Sequence, residues 1–458
     1  MDFVIVANAW GAGVSNPTSK HRIALELARR GSRVLWIEGA GMRAPRLSSG
    51  PDRLRLVKKV FRALGGPRRI EVPTRGDGGL WVMAPLLIPL PRYGWTRRVN
   101  GAICRGVARL VGRLWRFQSP VLINYVPVLA EAMRGWGARV VYHCVDRWDA
   151  FKMYDAAVMA EMDRRCCRYA DVVIASSDEL FARCKELNPN TRLLTHGVDY
   201  EHFAQAVEIR RKGEAEAGLN RNDPVALGNT PHPSTDESHR SSHQPSGCAS
   251  VQPLTLNHSF RPRDLPAGAI IGFFGLLSEW IDQDLLLDLA TACPAAHVVL
   301  IGQPDVSVER LKGAPNIHLL GPRPFAELPR YIAWFDAGII PFEVNDLTRS
   351  VNPIKLREML SAGCPVVSTH LPEVARYGAL ADGAVAVAKS RQEFVELVKR
   401  RLAQPVSIEE RQRISLEMAG ETWERKVDEM MRLVGEEEGR DGGDLRFSSS
   451  PGTDIQQP

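Results

Sequence analysis

Ser350 to Thr369 reads SVNPIKLREMLSAGCPVVST, and the order of its residue types predicts a loop, a helix and a strand in succession. Asn352 is a good N-cap, and Pro353 suits the first turn because its missing N–H is no loss there. Gly363 closes the helix ahead of the strand Pro365-Val366-Val367. The preceding apolar run ends near Pro341-Phe342, so a helix N-terminus lies at the carboxyl edge of a parallel sheet, where such sheets bind ligands. Amides and dipole there favour a diphosphate, and Lys355 adds a formal positive charge. Glu358, one turn in, can accept hydrogen bonds from vicinal hydroxyls such as those of a ribose. The residues alone leave a plainer reading open, a capped helix packed on a sheet with Glu358 solvated.

Outward from this stretch, short apolar runs alternate with helical patterns, the signature of parallel α/β sheets. Upstream lie Ile270 to Phe274, Val298 to Ile301, Ile317 to Leu320 and Ala337 to Ile340; Val366 to Ser368 and Ala384 to Val387 follow. Nearer the N-terminus, Phe3 to Ala7, Val34 to Ile37, Val121 to Asn124, Val140 to His143, Val172 to Ala175 and Leu193 to Thr195 form a second series. A helix is expected from Pro17 to Arg30, capped by Asn16 and closed by Gly31, and another around Ile408 to Leu433. Between the two series, Asn220 to Pro266 is rich in Pro, Ser, His, Asn and Thr. Such a segment cannot bury enough surface to offset its ordering entropy. Its histidines match no metal-ligand spacing.

The expected organisation is α/β, two Rossmann-like domains facing a cleft. Residues 1–205 form the first, 206–267 a mostly disordered linker or insertion, and 268–405 the second. Residues 406–434 are a helical segment crossing back to the first domain, and 435–458 a disordered tail.

Composition narrows the function classes. No apolar run reaches the roughly 18 residues of a membrane span, and MDFVIVANAW lacks the basic start and cleavage site of a signal peptide. The 8 cysteines show no C-x-x-C pair, which favours buried free thiols over disulfides or zinc. These features predict a cytoplasmic protein, or one on the cytosolic face of a membrane. The net charge is +6, yet Arg43 to Arg116 holds seventeen Lys/Arg against Asp52, Glu71 and Asp77. One surface is basic, and no nucleic-acid partner is predicted.

The segment around Glu358 resembles the donor-site helix of GT-B glycosyltransferases, the "glycosyl transferases group 1" family, in which P-x-K-x-x-E precedes small-Gly-x-Pro-Val-Val. Other stretches share the resemblance. Ile270 to Gly275 looks like the family's first donor-domain strand and glycine turn. Val298 to Gly302, Asn316 to Gly321 and Leu328 to Phe342 follow in matching order. Thr195-His196-Gly197-Val198-Asp199 with Phe203 resembles the interdomain crossover, and Thr422-Trp423 with Arg425 the terminal helix. Three positions depart. Ser350 stands where many members have the first Glu of E-x7-E. Leu276 to Asp284 replaces an expected Arg and Lys. His196 stands for a frequent Asn.

The resemblance implies transfer of a sugar from a nucleoside diphosphate sugar to a glycan or lipid-linked acceptor, typically with retention, in cell-surface polysaccharide or glycolipid synthesis. Gly275, Asn352, Pro353, Lys355 and Glu358 would bind the donor. The backbone near Gly275, the helix N-terminus and Lys355 would neutralise the diphosphate, so neither cofactor nor metal is required. Asp282-Gln283-Asp284 mimics a D-x-D metal motif but opens an amphipathic run, which makes it helix N-terminal charge.

In the first domain His143 and Asp146 sit where a buried strand emerges into a loop, and both are catalytic candidates. Gly11, Gly13, Asn16 and Lys20, with His196, are candidates for an acceptor-side or cleft loop. Gly11 and Gly13 with Glu38 also suggest an incomplete dinucleotide fingerprint, hence the alternative of an NAD-dependent oxidoreductase or epimerase. A non-catalytic GT-B assembly factor is the other alternative. Finally, Arg53–Leu64 and Trp95–Phe117 carry basic and apolar arcs at about 100° per residue, a pattern suited to an anionic membrane surface.

Overall fold

The computed structural model describes residues 1–11, 17–39, 63, 65–216, 218, 260–378 and 383–435. Most of the expected insertion (219–259), the tail beyond 435, Gly13, Asn16 and nearly all of Arg53–Leu64 lie outside the described residues.

The first sheet contains β1 (Asp2–Ala7), β2 (Arg33–Glu38), β3 (Arg68–Ile70), β4 (Gly79–Met83), β5 (Val121–Asn124), β6 (Val140–Cys144), β7 (Val172–Ala175) and β8 (Thr191–Leu193). Its order is β3-β4-β2-β1-β5-β6-β7-β8, parallel except for the antiparallel edge strand β3. The second sheet contains β9 (Ala269–Phe274), β10 (Ala296–Ile301), β11 (Ile317–Gly321), β12 (Ala337–Ile340), β13 (Val366–Thr369) and β14 (Val385–Ala388). Its order, β11-β10-β9-β12-β13-β14, is wholly parallel. Order reverses beside β1 in one sheet and beside β9 in the other, and each reversal opens a crevice beyond the strands' carboxyl ends.

The central strands read as continuous Val/Ile/Leu runs because helices cover both faces. Residues of β1, β5 and β7 are all buried, and Ile5 pairs in register with Trp36 on one side and Ile123 on the other. Strands β3 and β4 were not anticipated. Gly79 to Met83 is only a short apolar run, and it becomes a strand by pairing Leu35 with Trp81. The expected strand Leu193–Thr195 is instead Thr191–Leu193, set by pairing with Val173 to Ala175.

Both helix starts are corrected. The first helix spans Ser19–Arg29 with Thr18 as N-cap, its Oγ1 2.8 Å from Nδ1 of His21. The decisive helix spans Ile354–Ser361 with Pro353 as N-cap, while Gly363 (φ +67°) closes it as expected.

Of the segment 206–267, the described ends, 206–216 and 260–267, are built into the fold. Helix Tyr200–Glu216 places Phe203 and Ala206 in the core of the second domain. Asp264 binds Arg323 and the hydroxyl of Tyr331, and Leu265 is buried. These few side chains find partners only across the fold, which no local composition reveals. The expected helix Ile408 to Leu433 is two. Ile408–Leu416 stays with the second domain through Ile414, whereas Trp423–Gly435 adds Val427, Met430 and Val434 to the core of the first. Backbone contact of Val198 with Glu421 (2.8 Å) ties the two crossings together.

Candidate active site

A cavity of about 510 Å³ separates the two sheets, within the range that holds a nucleotide-sized ligand. The carboxyl ends of β6 and β8 and the start of helix Ser19–Arg29 supply Val145, Asp146, His196 and Lys20 on one wall. The opposite wall comes from the ends of β9, β10 and β12 and from the helix that follows Pro353. Eight expected site residues meet here: Lys20, Asp146, His196, Gly275, Asn352, Pro353, Lys355 and Glu358. Gly11 is described but does not line the cavity, and His143 lies beneath the wall.

On the second-domain wall, Lys355 Nζ lies 2.6 Å from Glu358 Oε2 and 4.6 Å from the centre of the Phe274 ring. The ammonium is therefore held at the helix N-terminus, with the first helical amides, which lack intrahelical acceptors, beside it. Gly275 and Gly302 allow this close wall. A Cβ on Gly302 (φ +155°) would sit 1.7 Å from the Gly275 carbonyl oxygen, and one on Gly275 3.3 Å from the Lys355 stem. The Gly275 N–H donates to the Ile301 carbonyl at 2.8 Å. Its amide is thus spent on the sheet and not offered to a diphosphate, which corrects the expectation for that group.

Asn352 does not cap the helix. Its buried amide donates to Glu373 Oε2 (2.6 Å) and accepts from Arg357 Nη1 (2.6 Å). Glu373 also accepts the Asp178 N–H at 2.8 Å, so this network joins the cavity wall to the first domain. Ser350 is fully buried. Its carbonyl accepts from Ser177 Oγ at 2.7 Å, and its own hydroxyl turns back to the Asp346 carbonyl at 3.2 Å.

The first-domain wall is dominated by a buried lysine. Among the described residues the Lys20 ammonium makes no ion pair or hydrogen bond; its Nζ sits 4.9 Å from the Trp148 ring centre and 5.8 Å from that of Tyr125. Burial lowers its pKa, and the charge of Asp146 opposes that shift. Burial raises the Asp146 carboxyl above its usual range, with Lys20 pulling it back. His196 is held neutral, first by burial and then by Arg357 and other nearby cations. His143 Nδ1 is 3.0 Å from the Tyr125 hydroxyl, and burial pushes its pKa down to about 3. It supports the wall without facing the cavity.

Other lining residues were not anticipated. Gln303 follows β10, Arg323 and Phe325 follow β11, and Trp280 lies in the loop after β9. Their only sequence signal is a position shortly after a predicted strand, a place shared by every loop in such a fold. The dinucleotide reading loses its acid: Glu38 is buried and accepts the Trp10 N–H at 3.0 Å. Asp282 caps its helix by accepting from Leu285 N–H (2.9 Å) and pairs with Arg391 (2.9 Å).

Two doubly wound domains, each directing strand ends into one cleft, are the architecture of the GT-B glycosyltransferases. Solved structures agree in fold. HepE from Anabaena, in complex with UDP and glucose, matches with a TM-score of 0.55 and 13% identity over 94% of this chain and 99% of that one. The catalytic domain of starch synthase IV from Arabidopsis thaliana, bound to ADP and acarbose, matches with a TM-score of 0.56 and 12% identity, covering 94% and 98%. Residues 268–404, most of the second domain, match the model of the Glycosyl transferases group 1 family. A Bacillus subtilis (strain 168) protein named for glycosyl transfer in teichuronic acid biosynthesis, TuaH, is 33% identical over 113 residues, 24% of this chain. That match spans 28% of the relative's length.

Proposed function

We propose that this chain transfers a sugar from a UDP-sugar to a glycan or lipid-linked glycan during assembly of a cell-surface polysaccharide. The observation that carries this reading is the single cavity in which Lys355 and Glu358, at a helix N-terminus, face Lys20 and Asp146 of the other domain. The donor lies against the second domain, with its ribose hydroxyls donating to Glu358 and its diphosphate against Lys355 and the helix amides. In the transfer, the bond from the anomeric carbon to the diphosphate oxygen breaks and a bond to an acceptor oxygen forms. The acceptor's proton leaves with the departing diphosphate or to Asp146. Leaving-group charge is met by preorganised donors, which supply the stabilisation without a metal.

Asp146 and Lys20 orient the sugar or acceptor on the first-domain side, and His143 positions them from below. Retention of anomeric configuration is the outcome we assign. The UDP assignment draws on HepE, whose structure contains UDP and glucose; the polysaccharide assignment draws on the teichuronic acid relative. A thermal-shift series with UDP, ADP, their sugars and NAD, followed by turnover with the stabilising sugar, tests the reading. A ligand at about 100 times its Kd adds about 2.7 kcal/mol of stability. Stabilisation by NAD alone would overturn the proposal, and binding without turnover would favour the non-catalytic alternative.

A further inference from the structure

The long helix Gly94–Leu114 packs on the first domain the reverse of the usual way. Its buried face is Thr96, Asn100, Gly101, Cys104, Ala108, Val111 and Gly112, mostly small or polar residues. Gly101 lets the helix approach so closely that a Cβ there would lie 2.7 Å from the Glu131 backbone. Large apolar side chains point outward instead: Trp95 is 58% exposed, Leu110 60% and Leu114 71%, with Val99 also exposed. Leu86, Leu90 and Tyr93, just before the helix, extend the patch, so seven of the twelve exposed large apolar residues among the described ones cluster here. Solvated apolar residues in such number mark an interaction surface.

The charge around the patch identifies the partner. Between Asp77 and Glu131 the chain carries seven arginines and no acidic residue. At about 100° per residue, Trp95, Val99, Ala102, Gly106 and Leu110 share one arc of the helix, with Leu114 at its edge. Arg98 and Arg109 share the adjoining one, and Arg113 lies within the apolar arc near the C-terminal end of the helix. Arg92, Arg98 and Arg113 are exposed, and among the described residues their guanidinium groups make no hydrogen bond or ion pair. An apolar stripe with a rim of unpaired arginines suits the interfacial plane of an anionic bilayer. A protein partner would need a strongly acidic rim of its own. Among the described residues no helix is long and apolar enough to cross a membrane.

We propose that Leu86 to Leu114 docks the first domain on an anionic phospholipid surface, with helix Gly94–Leu114 lying in the membrane plane. Sequence periodicity alone assigned Ile103 and Val107 to the same apolar face, but both are half-buried against the core, and the docking stripe runs through Trp95, Val99 and Leu110. The helix begins in the loop that leaves the carboxyl end of β4, the sheet edge that faces the cleft. A membrane-borne acceptor would therefore meet the cavity from the side of Tyr93 and Trp95. Docking does not depend on the identity of the donor.

The test is cosedimentation of the full chain with vesicles of phosphatidylglycerol and phosphatidylcholine, or of phosphatidylcholine alone. Two variants accompany it, Arg92→Gln/Arg98→Gln/Arg113→Gln and Trp95→Ser/Leu110→Ser/Leu114→Ser. Wild type should partition to the anionic vesicles and be released by salt. The arginine variant should bind on the order of 100-fold more weakly, at roughly fivefold per charge. The apolar variant should lose binding that persists in salt. Unchanged UDP affinity in both variants would show an intact cleft and separate this test from that of the donor assignment. Equal binding of wild type to neutral and anionic vesicles, or variants indistinguishable from wild type, would overturn the proposal. So would a solution dimer dispersed by the apolar substitutions, since a second copy would then cover the patch.

Discussion

Replacing Glu358 with Gln changes one charge and no volume, at the point where the donor reading is most exposed to refutation. The carboxylate is buried, and among the described residues its one hydrogen bond is the 2.6 Å contact from Lys355. In the proposed complex it also accepts from the ribose hydroxyls. A hydrogen bond to a charged group is worth about 1.5–3 kcal/mol, so the substitution should weaken UDP binding by roughly 10- to 150-fold. Stability should change little. Lys355 is 30% exposed, so its ammonium is rehydrated when the pair is lost, and such partly exposed pairs contribute about 0–1 kcal/mol. Titration calorimetry with UDP and with a dideoxyribose analogue reads both effects. Wild type should prefer UDP, and Glu358→Gln should bind the two nearly alike. A folded Glu358→Gln protein that binds UDP as wild type does would refute the assignment.

Lys20→Met replaces a desolvated ammonium by an apolar chain of similar length. It should raise the Tm of the ligand-free protein while cutting turnover at least tenfold, and an active variant of unchanged Tm would argue against the role given to Lys20. Glu373→Gln leaves one acceptor for two donors, Asn352 and the Asp178 N–H. Thermal unfolding should report a loss of about 1.5–3 kcal/mol, and an unshifted transition would show that the network does not clamp the domains. Acid should destabilise the fold through its buried and half-buried histidines. The pKa values of His21 (down to about 4), His143 (down to about 3) and His196 (well below the usual value) all lie below the unfolded value near 6.5. Their stabilisation is therefore complete above pH 6.5 and lost as pH falls toward the folded values, at about 1.4 kcal/mol per proton per pH unit. His196→Asn should flatten the decline of Tm between pH 7 and pH 5, and an identical slope in the variant would exclude His196 as a contributor.

Much of the fold was legible because its signals are local. Strands buried on both faces must be continuous apolar runs, so β1, β5, β7, β9 and β12 announce themselves. Gly363 can close its helix only by a positive φ, which the sequence alone suggests. The sites at strand ends followed from the same logic, since a parallel sheet offers its carboxyl edge to ligands, and Lys355, Glu358 and Asp146 all occupy that edge.

Tertiary structure alone decided what depends on partners distant in the chain. Asn352 has the right residue type and position for an N-cap, yet Glu373 and Arg357 claim its side chain. Gly275 lies at the turn as expected, but its amide belongs to Ile301. His143 and Asp146 are three residues apart at one strand end. Only the packing of Tyr125 and Lys20 around them sends one beneath the wall and the other into the cavity. Periodicity found the apolar residues of helix Gly94–Leu114 but not which face the protein would leave in solvent. The close approach of Gly101 to the Glu131 backbone decides that, because a helix packs through whichever face lets the backbones come nearest.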